Sequence, residues 1–175
     1  MANNDRGNAS TPRSRGRAGK SKVSERGILV TLKEEHKEIS HLMDKVMGTE
    51  DDEDVEARAE LFEELKVMLL AHAAAEDKEF YPVLLRHDRT REAAERSTEG
   101  HEEVAELIER IESLDLESTE WMSVFLTLKD MVFDHVEEEE QELLPLAREL
   151  LSQEELLEMG SRFVEQRDAE LKAFM

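Results

Sequence analysis

The sequence predicts an all-α protein, an up-down-up-down four-helix bundle with an additional C-terminal helix, and three observations lead there. From Ser24 onward apolar residues recur at steps of three and four and nowhere alternate. Only 7 glycines and 3 prolines punctuate 175 residues, too few for a many-stranded sandwich or barrel. The periodic segments are about 20 to 30 residues long and joined by short polar links, which makes successive helices antiparallel neighbours.

The first stripe is Ile28, Leu32, His36, Ile39, Met43 and Val46, ending before Gly48 and the acidic stretch Glu50 to Asp54. A second runs Val55, Ala59, Phe62, Leu65, Leu69, His72, Glu76 and Phe80 and is stopped by Pro82. Ala94, Ser97, His101, Val104, Ile108 and Ile111 make the third, which stops near Leu114 to Leu116. Ser118 or Thr119 caps the fourth, Trp121, Phe125, Leu128, Val132, His135, Glu139 and Leu143, which meets Pro145. A capping box of Ser152 and Glu155 opens a fifth with Leu156, Met159 and Phe163. The expected division is a basic arm over 1–23, the bundle over 24–150 and an accessory helix over 151–175.

Charge is unevenly distributed. Residues 1–27 hold seven Lys/Arg and two acids, a net of +5, whereas the whole chain carries -21. The remaining 148 residues therefore carry -26, a surface that repels nucleic acid and anionic membranes and attracts cations. The first 22 or so residues are Asn-, Ser-, Gly- and Arg-rich and too poor in apolar groups to offset their ordering entropy, so they are expected to form a disordered, solubilising arm. The absence of cysteine excludes disulfides, thiolate metal sites and cysteine nucleophiles. The longest apolar run, Val67 to Ala75, contains His72 and falls far short of the roughly 20 residues of a membrane span. With no secretory apolar stretch at the N-terminus either, the expected location is cytoplasmic.

Each of the four long stripes carries one histidine: His36, His72, His101 and His135. Two add a carboxylate four residues later, Glu76 and Glu139, about 40° around the axis and about 6 Å along it, so each pair points into the bundle. A buried, unpartnered carboxylate costs several kcal/mol, so something must compensate all six groups together. The arrangement is also repeated. In both halves a lone histidine precedes HxxxE, and a proline, Pro82 or Pro145, follows ten residues after the HxxxE histidine. A single histidine on an apolar stripe is ordinarily a hydrogen-bonded core residue, and HxxxE in an acid-rich helix arises by chance. Four of six histidines falling one per helix, with two matched HxxxE-x5-P units, instead indicate a metal centre.

Four imidazoles and two carboxylates suit Fe, Mn, Zn or Co, and the lack of thiolate argues against a tetrahedral structural zinc. Six ligands exceed the needs of one catalytic metal and fit two, each with two histidines, sharing Glu76 and Glu139. The Glu-x-x-His spacing of ferritin-like di-iron bundles is absent, since Lys33, Leu69, Thr98 and Val132 stand three before the histidines. HExxH fails too, because Ala105 follows His101-Glu102 at the second histidine's place.

This His…HxxxE…His…HxxxE series over roughly residues 28–147 resembles the hemerythrin-like, or HHE cation-binding, family. The resemblance implies two Fe ions, ahead of Mn or Zn, with a bridging oxo or hydroxo group. It implies His36 and His72 on one iron, His101 and His135 on the other, and Glu76 and Glu139 as bridges. One departure is Ala105, where oxygen-carrying members have a fifth histidine. His41 lies about 140° around the helix from His36 and is read as a surface residue, His87 as loop, and Tyr81 as a candidate oxygen donor. The leading function is binding or sensing of O2 or related small species, peroxide or NO. A catalase-like peroxide-degrading or iron-handling protein is the alternative, with Tyr81 or the acids beside the bridging glutamates moving protons. Two further readings are a metal-free acidic helical interaction module and a loose cation buffer on the acidic exterior.

Overall fold

The computed structural model describes residues 27–51 and 54–174, and the basic arm expected over 1–23 lies outside them. Four long helices form the bundle: α1 (Ile28–Asp51), α2 (Val55–Glu79), α4 (Arg91–Glu112) and α5 (Thr119–Glu138). Short helices α3 (Tyr81–Leu84) and α6 (Leu144–Leu150) follow α2 and α5, and α7 (Gln153–Ala173) is the terminal helix. No strand occurs among the described residues, and no helix among them is long and apolar enough to cross a membrane. α7 lies along α2 in the most extensive helix pairing and also packs on α1; the hairpins α1–α2 and α4–α5 come next, and α1 against α5 and α2 against α4 close the ring.

The helix starts follow local chemistry. The Asp54 carboxylate accepts from the Ala57 N–H at 3.0 Å, and the Ser118 hydroxyl from the Trp121 N–H at 3.1 Å. Ser152 and Glu155 form the full capping box, with N···O distances of 3.1 and 2.7 Å. Two details depart from the expected pattern. α1 continues through Gly48 to Asp51. The fourth segment is not one α-helix up to Pro145: it passes into a π-helical turn at Glu139–Leu143, with the Leu144 N–H bonded to the Glu139 carbonyl, and resumes as α6. Proline lacks an N–H and its ring crowds the carbonyl four residues back, here that of Gln141; widening the preceding turn relieves that contact without ending the helix. At the matching Pro82, α2 ends at Glu79 instead and α3 begins afresh.

The apolar interior is divided in two. One cluster gathers Ile39, Met43, Val46, Phe62, Leu65, Ile108, Ile111, Trp121, Phe125 and Leu128 from the four long helices. The other joins Ile28 and Leu32 to Phe80, Tyr81 and Leu84 around α3, Leu144 and Ala147 of α6, and Leu156, Met159 and Phe163 of α7. α7 reaches that cluster because two glycines let backbones meet. A Cβ on Gly160 would stand 2.7 Å from the Gly27 carbonyl carbon and the Ile28 nitrogen, and Gly27 itself has φ +73°, a left-handed conformation that favours glycine.

Candidate metal centre

Between the two apolar clusters lies a layer of polar groups. α1 supplies His36, α2 His72 and Glu76, α4 His101, α5 His135, and the π-helical turn Glu139; thus all six residues singled out by the stripes come together. The i, i+4 spacing stacks His72 over Glu76, with Nε2 3.3 Å from Oε1. His36 Nε2 is 3.1 Å from Glu139 Oε2, and His101 Nε2 is 3.2 Å from both Glu76 Oε2 and His135 Nε2. The rings pair as His36 with His72, centroids 5.2 Å apart, and His101 with His135, centroids 4.8 Å apart.

One ligand atom each from His36, His72, Glu76 and Glu139 lies within 4.8 Å of the others, and the same holds for Glu76, His101 and His135. Glu76 therefore belongs to both groups. Glu139 lies with the first, and its other oxygen accepts the Tyr81 hydroxyl at 3.1 Å. That hydroxyl is also 3.3 Å from Glu76 Oε2 and 3.5 Å from His135 Nε2.

The donor set fits a cation. His36 Nε2, Glu76 Oε1 and Glu139 Oε2 are buried and have no hydrogen-bond partner. His36 Nε2 and Glu139 Oε2 are within ion-pair distance of each other, as are His72 Nε2 and Glu76 Oε1, yet the alignment is not that of a hydrogen bond. Buried polar groups are almost always paired, and an unpaired one costs about 1–3 kcal/mol or more if charged. A cation held among them would satisfy all three at once.

Behind the inner nitrogens stands a second row of acids. Glu140 lies 2.8 Å from His36 Nδ1, Glu35 2.9 Å from His72 Nδ1, and Asp77 2.9 Å from His101 Nδ1. A carboxylate partner places the ring proton on Nδ1, where it donates, and turns the Nε2 lone pair inward. Without a cation the layer is compensated by protons. Burial works against the charged form of His72, but the Glu76 charge and the bond to Glu35 outweigh it and raise its pKa to about 10. Asp77 and Glu76 likewise overcome burial at His101 and raise it to about 9, and Glu139 raises His36. Burial and the neighbouring His101 lower His135 to about 4. Despite burial, His72 and His101 hold Glu76 well below the usual carboxylate range, whereas burial and the Glu76 charge raise Glu139. Burial, with the charges of Glu139 and Glu76, pushes the Tyr81 hydroxyl well above its usual value.

An apolar cavity of about 20 Å³ adjoins the layer, lined by Ile39, Leu69, Ala73, Val104, Val132 and Val136 with His72, His101 and His135. His41 is exposed and His87 sits in the turn between α3 and α4, both away from the centre. Sequence reasoning missed Glu35 and its partner Arg167 on α7. Glu35 stands immediately before His36, but in a chain with 44 acids that adjacency carries no weight. Nothing local relates Arg167 to residues 132 positions earlier.

The sequence profile of the hemerythrin HHE cation-binding domain matches residues 27–147, the span that contains the whole layer. An uncharacterized hemerythrin-like protein of Schizosaccharomyces pombe (strain 972 / ATCC 24843) is 28% identical over 97 residues, covering 54% of this chain. That alignment spans about half of the yeast protein, 48% of its length. No solved structure matches the chain. The chain belongs to the hemerythrin HHE cation-binding family.

Proposed function

We propose that this chain is a non-haem di-iron protein that binds or senses O2 or a related small species, peroxide or NO. In this reading His36 and His72 hold one iron and His101 and His135 the other, with Glu76 and Glu139 between them. The observation that carries it is the pair of ligand groups sharing Glu76, with three inward-facing atoms lacking any partner. When bound, the metals supply redox-active positions for a small ligand. The protein supplies the rest. Glu35, Asp77 and Glu140 orient three of the four imidazoles. The adjoining apolar cavity, at about 20 Å³, has room for one species of about water size.

Peroxide breakdown is the second reading, and Tyr81 favours it. Its hydroxyl keeps its proton and lies 3.1–3.5 Å from Glu139, Glu76 and His135, so it would be a proton donor beside the residues that would hold the metals.

The test is elemental analysis and an absorption spectrum of the full chain purified without added metal, repeated after dithionite and after air. Two irons per chain with an oxo-to-iron band in the near ultraviolet are expected, and His72→Ala should lose metal. Reversible spectral change with air supports binding or sensing, whereas rapid loss of added peroxide supports the second reading. A helical protein with no metal would overturn both and leave an acidic interaction module. Loose, non-stoichiometric metal indifferent to His72→Ala would mean a cation buffer.

A further inference from the structure

The repeat pairs the halves position for position: His36 with His101, His72 with His135, Glu76 with Glu139, and Asp77 with Glu140. Most contacts obey it. His36 meets Glu139 through Nε2 and Glu140 through Nδ1, and His101 meets Glu76 through Nε2 and Asp77 through Nδ1. The correspondence fails around the second histidine of each half: His72 Nε2 meets Glu76, whereas His135 Nε2 meets His101 and Tyr81, and the two Nδ1 atoms differ as well. His72 Nδ1 bonds to Glu35, the residue before His36, and the matching residue before His101 is Gly100. A Cβ built on Gly100 would meet His135 Nδ1 at 3.5 Å and nothing else within 4 Å. The position thus faces the imidazole but offers it no acceptor, and among the described residues no carboxylate lies within ion-pair reach of His135 Nδ1. Glu35, by contrast, is itself buried and pinned by Arg167 of α7, whose guanidinium also holds Asp168. Phe163 of the same helix sets its ring edge-on to His72, centroids 5.7 Å apart. The terminal helix therefore reaches one half of the centre and not the other.

We infer that Arg167 and Glu35 are positioning residues for His72, through which α7 makes the two halves unequal: the His36–His72 half retains its cation, and the His101–His135 half exchanges its own more readily. The inference rests on the metal-binding reading above. A carboxylate on Nδ1 fixes the ring's tautomer and orientation before the metal arrives, and losing such a partner typically costs about 10–100-fold in affinity. His135 lacks it by sequence, and His72 has it from Glu35, which Arg167 of α7 holds in place.

The experiment loads the full chain anaerobically with iron(II) and follows its release to a colorimetric chelator. Wild type should release two equivalents in two phases whose rates differ by about 10–100-fold. His135→Ala should abolish the fast phase, which assigns it. Arg167→Gln and Glu35→Gln should accelerate the slow phase about 10-fold and leave the fast one alone, with Arg167→Lys partly restoring it. Gly100→Asp, which returns an acceptor to His135, should slow the fast phase. Two equivalents released at one rate, or variants that change both phases equally or neither, would overturn the inference and leave the di-iron reading intact. A wild type that takes up no iron would overturn that reading and the inference with it. Should Arg167→Gln and Glu35→Gln fail to fold, Gly100→Asp decides: a slowed fast phase supports the asymmetry and an unchanged one overturns it.

Discussion

The two apolar clusters that enclose the polar layer are built by different means. The cluster around Trp121 is made almost wholly from the stripes of four long helices, and its ring packing is regular. Trp121 stacks on Phe125 with 5.4 Å between centroids and an interplanar angle of 8°, and Phe62 meets both edge-on. Arg58 seals that end: its guanidinium lies 5.6 Å from the Trp121 ring centre and donates to the hydroxyl and carbonyl of Thr49 and to the Leu116 carbonyl. The cluster around Phe80 and Phe163 depends instead on punctuation and on a distant helix. α3 and α6 exist because of Pro82 and Pro145, and α7 docks where Gly160 meets Gly27. The first cluster is a product of periodicity, and the second is a product of interruptions to it. Both border the candidate metal centre, the first through Ile39, Leu69, Val104 and Val132 at the cavity beside the histidines, the second through Tyr81 and Phe163.

That contrast can be broken from either side. Trp121→Ala removes the largest fully buried side chain and should cost about 3–5 kcal/mol, read from denaturant unfolding. Metal content per folded chain should stay unchanged, because no group of the polar layer touches the indole. If the metal were lost from the folded variant, the two ends would not be independent.

Gly160→Val tests the other cluster. Its side chain has no room against the backbone of Gly27 and Ile28, so α7 must lift, at about 1–3 kcal/mol. Although smaller in stability, this change should alter the centre: Phe163 and Arg167 move away from His72 and Glu35, and metal retention falls. Retention equal to wild type would show that α7 is only a cover.

Ser152→Ala should have the smallest effect, about 1 kcal/mol from the lost cap. Amide exchange should quicken in the first turn of α7 and not in α5, whose Ser118 cap is separate. Equal quickening in both would make the caps parts of one cooperative unit.

Much of the candidate site was legible because its residues break a local rule. His36, His72, His101 and His135 are polar groups on apolar stripes, and Glu76 and Glu139 follow two of them at the spacing that stacks side chains on one helix face. Such violations are visible in one dimension. Tyr81 was visible as a candidate through its place at the end of α2, but its contact with Glu139 was not, since α3 first has to turn it inward. Glu35 was invisible among so many acids, and Gly100 gave no sign that it faces an imidazole.

The sequence by itself determined where the helices lie along the chain, the caps at Ser118 and Ser152, the apolar stripes of the four long helices and the six inward polar groups. These depend on interactions within about four residues, where spacing and chemistry are sufficient. Tertiary structure decided how Pro145 is accommodated, by a π-helical turn that carries Glu139 and Glu140, and where α7 lies. It also decided that Glu35 meets His72 across the α1–α2 hairpin and is reached by Arg167 of α7. Those outcomes depend on which backbone approaches which between positions far apart in the sequence, as in the contact of Glu35 with Arg167, and periodicity within a helix carries no record of that.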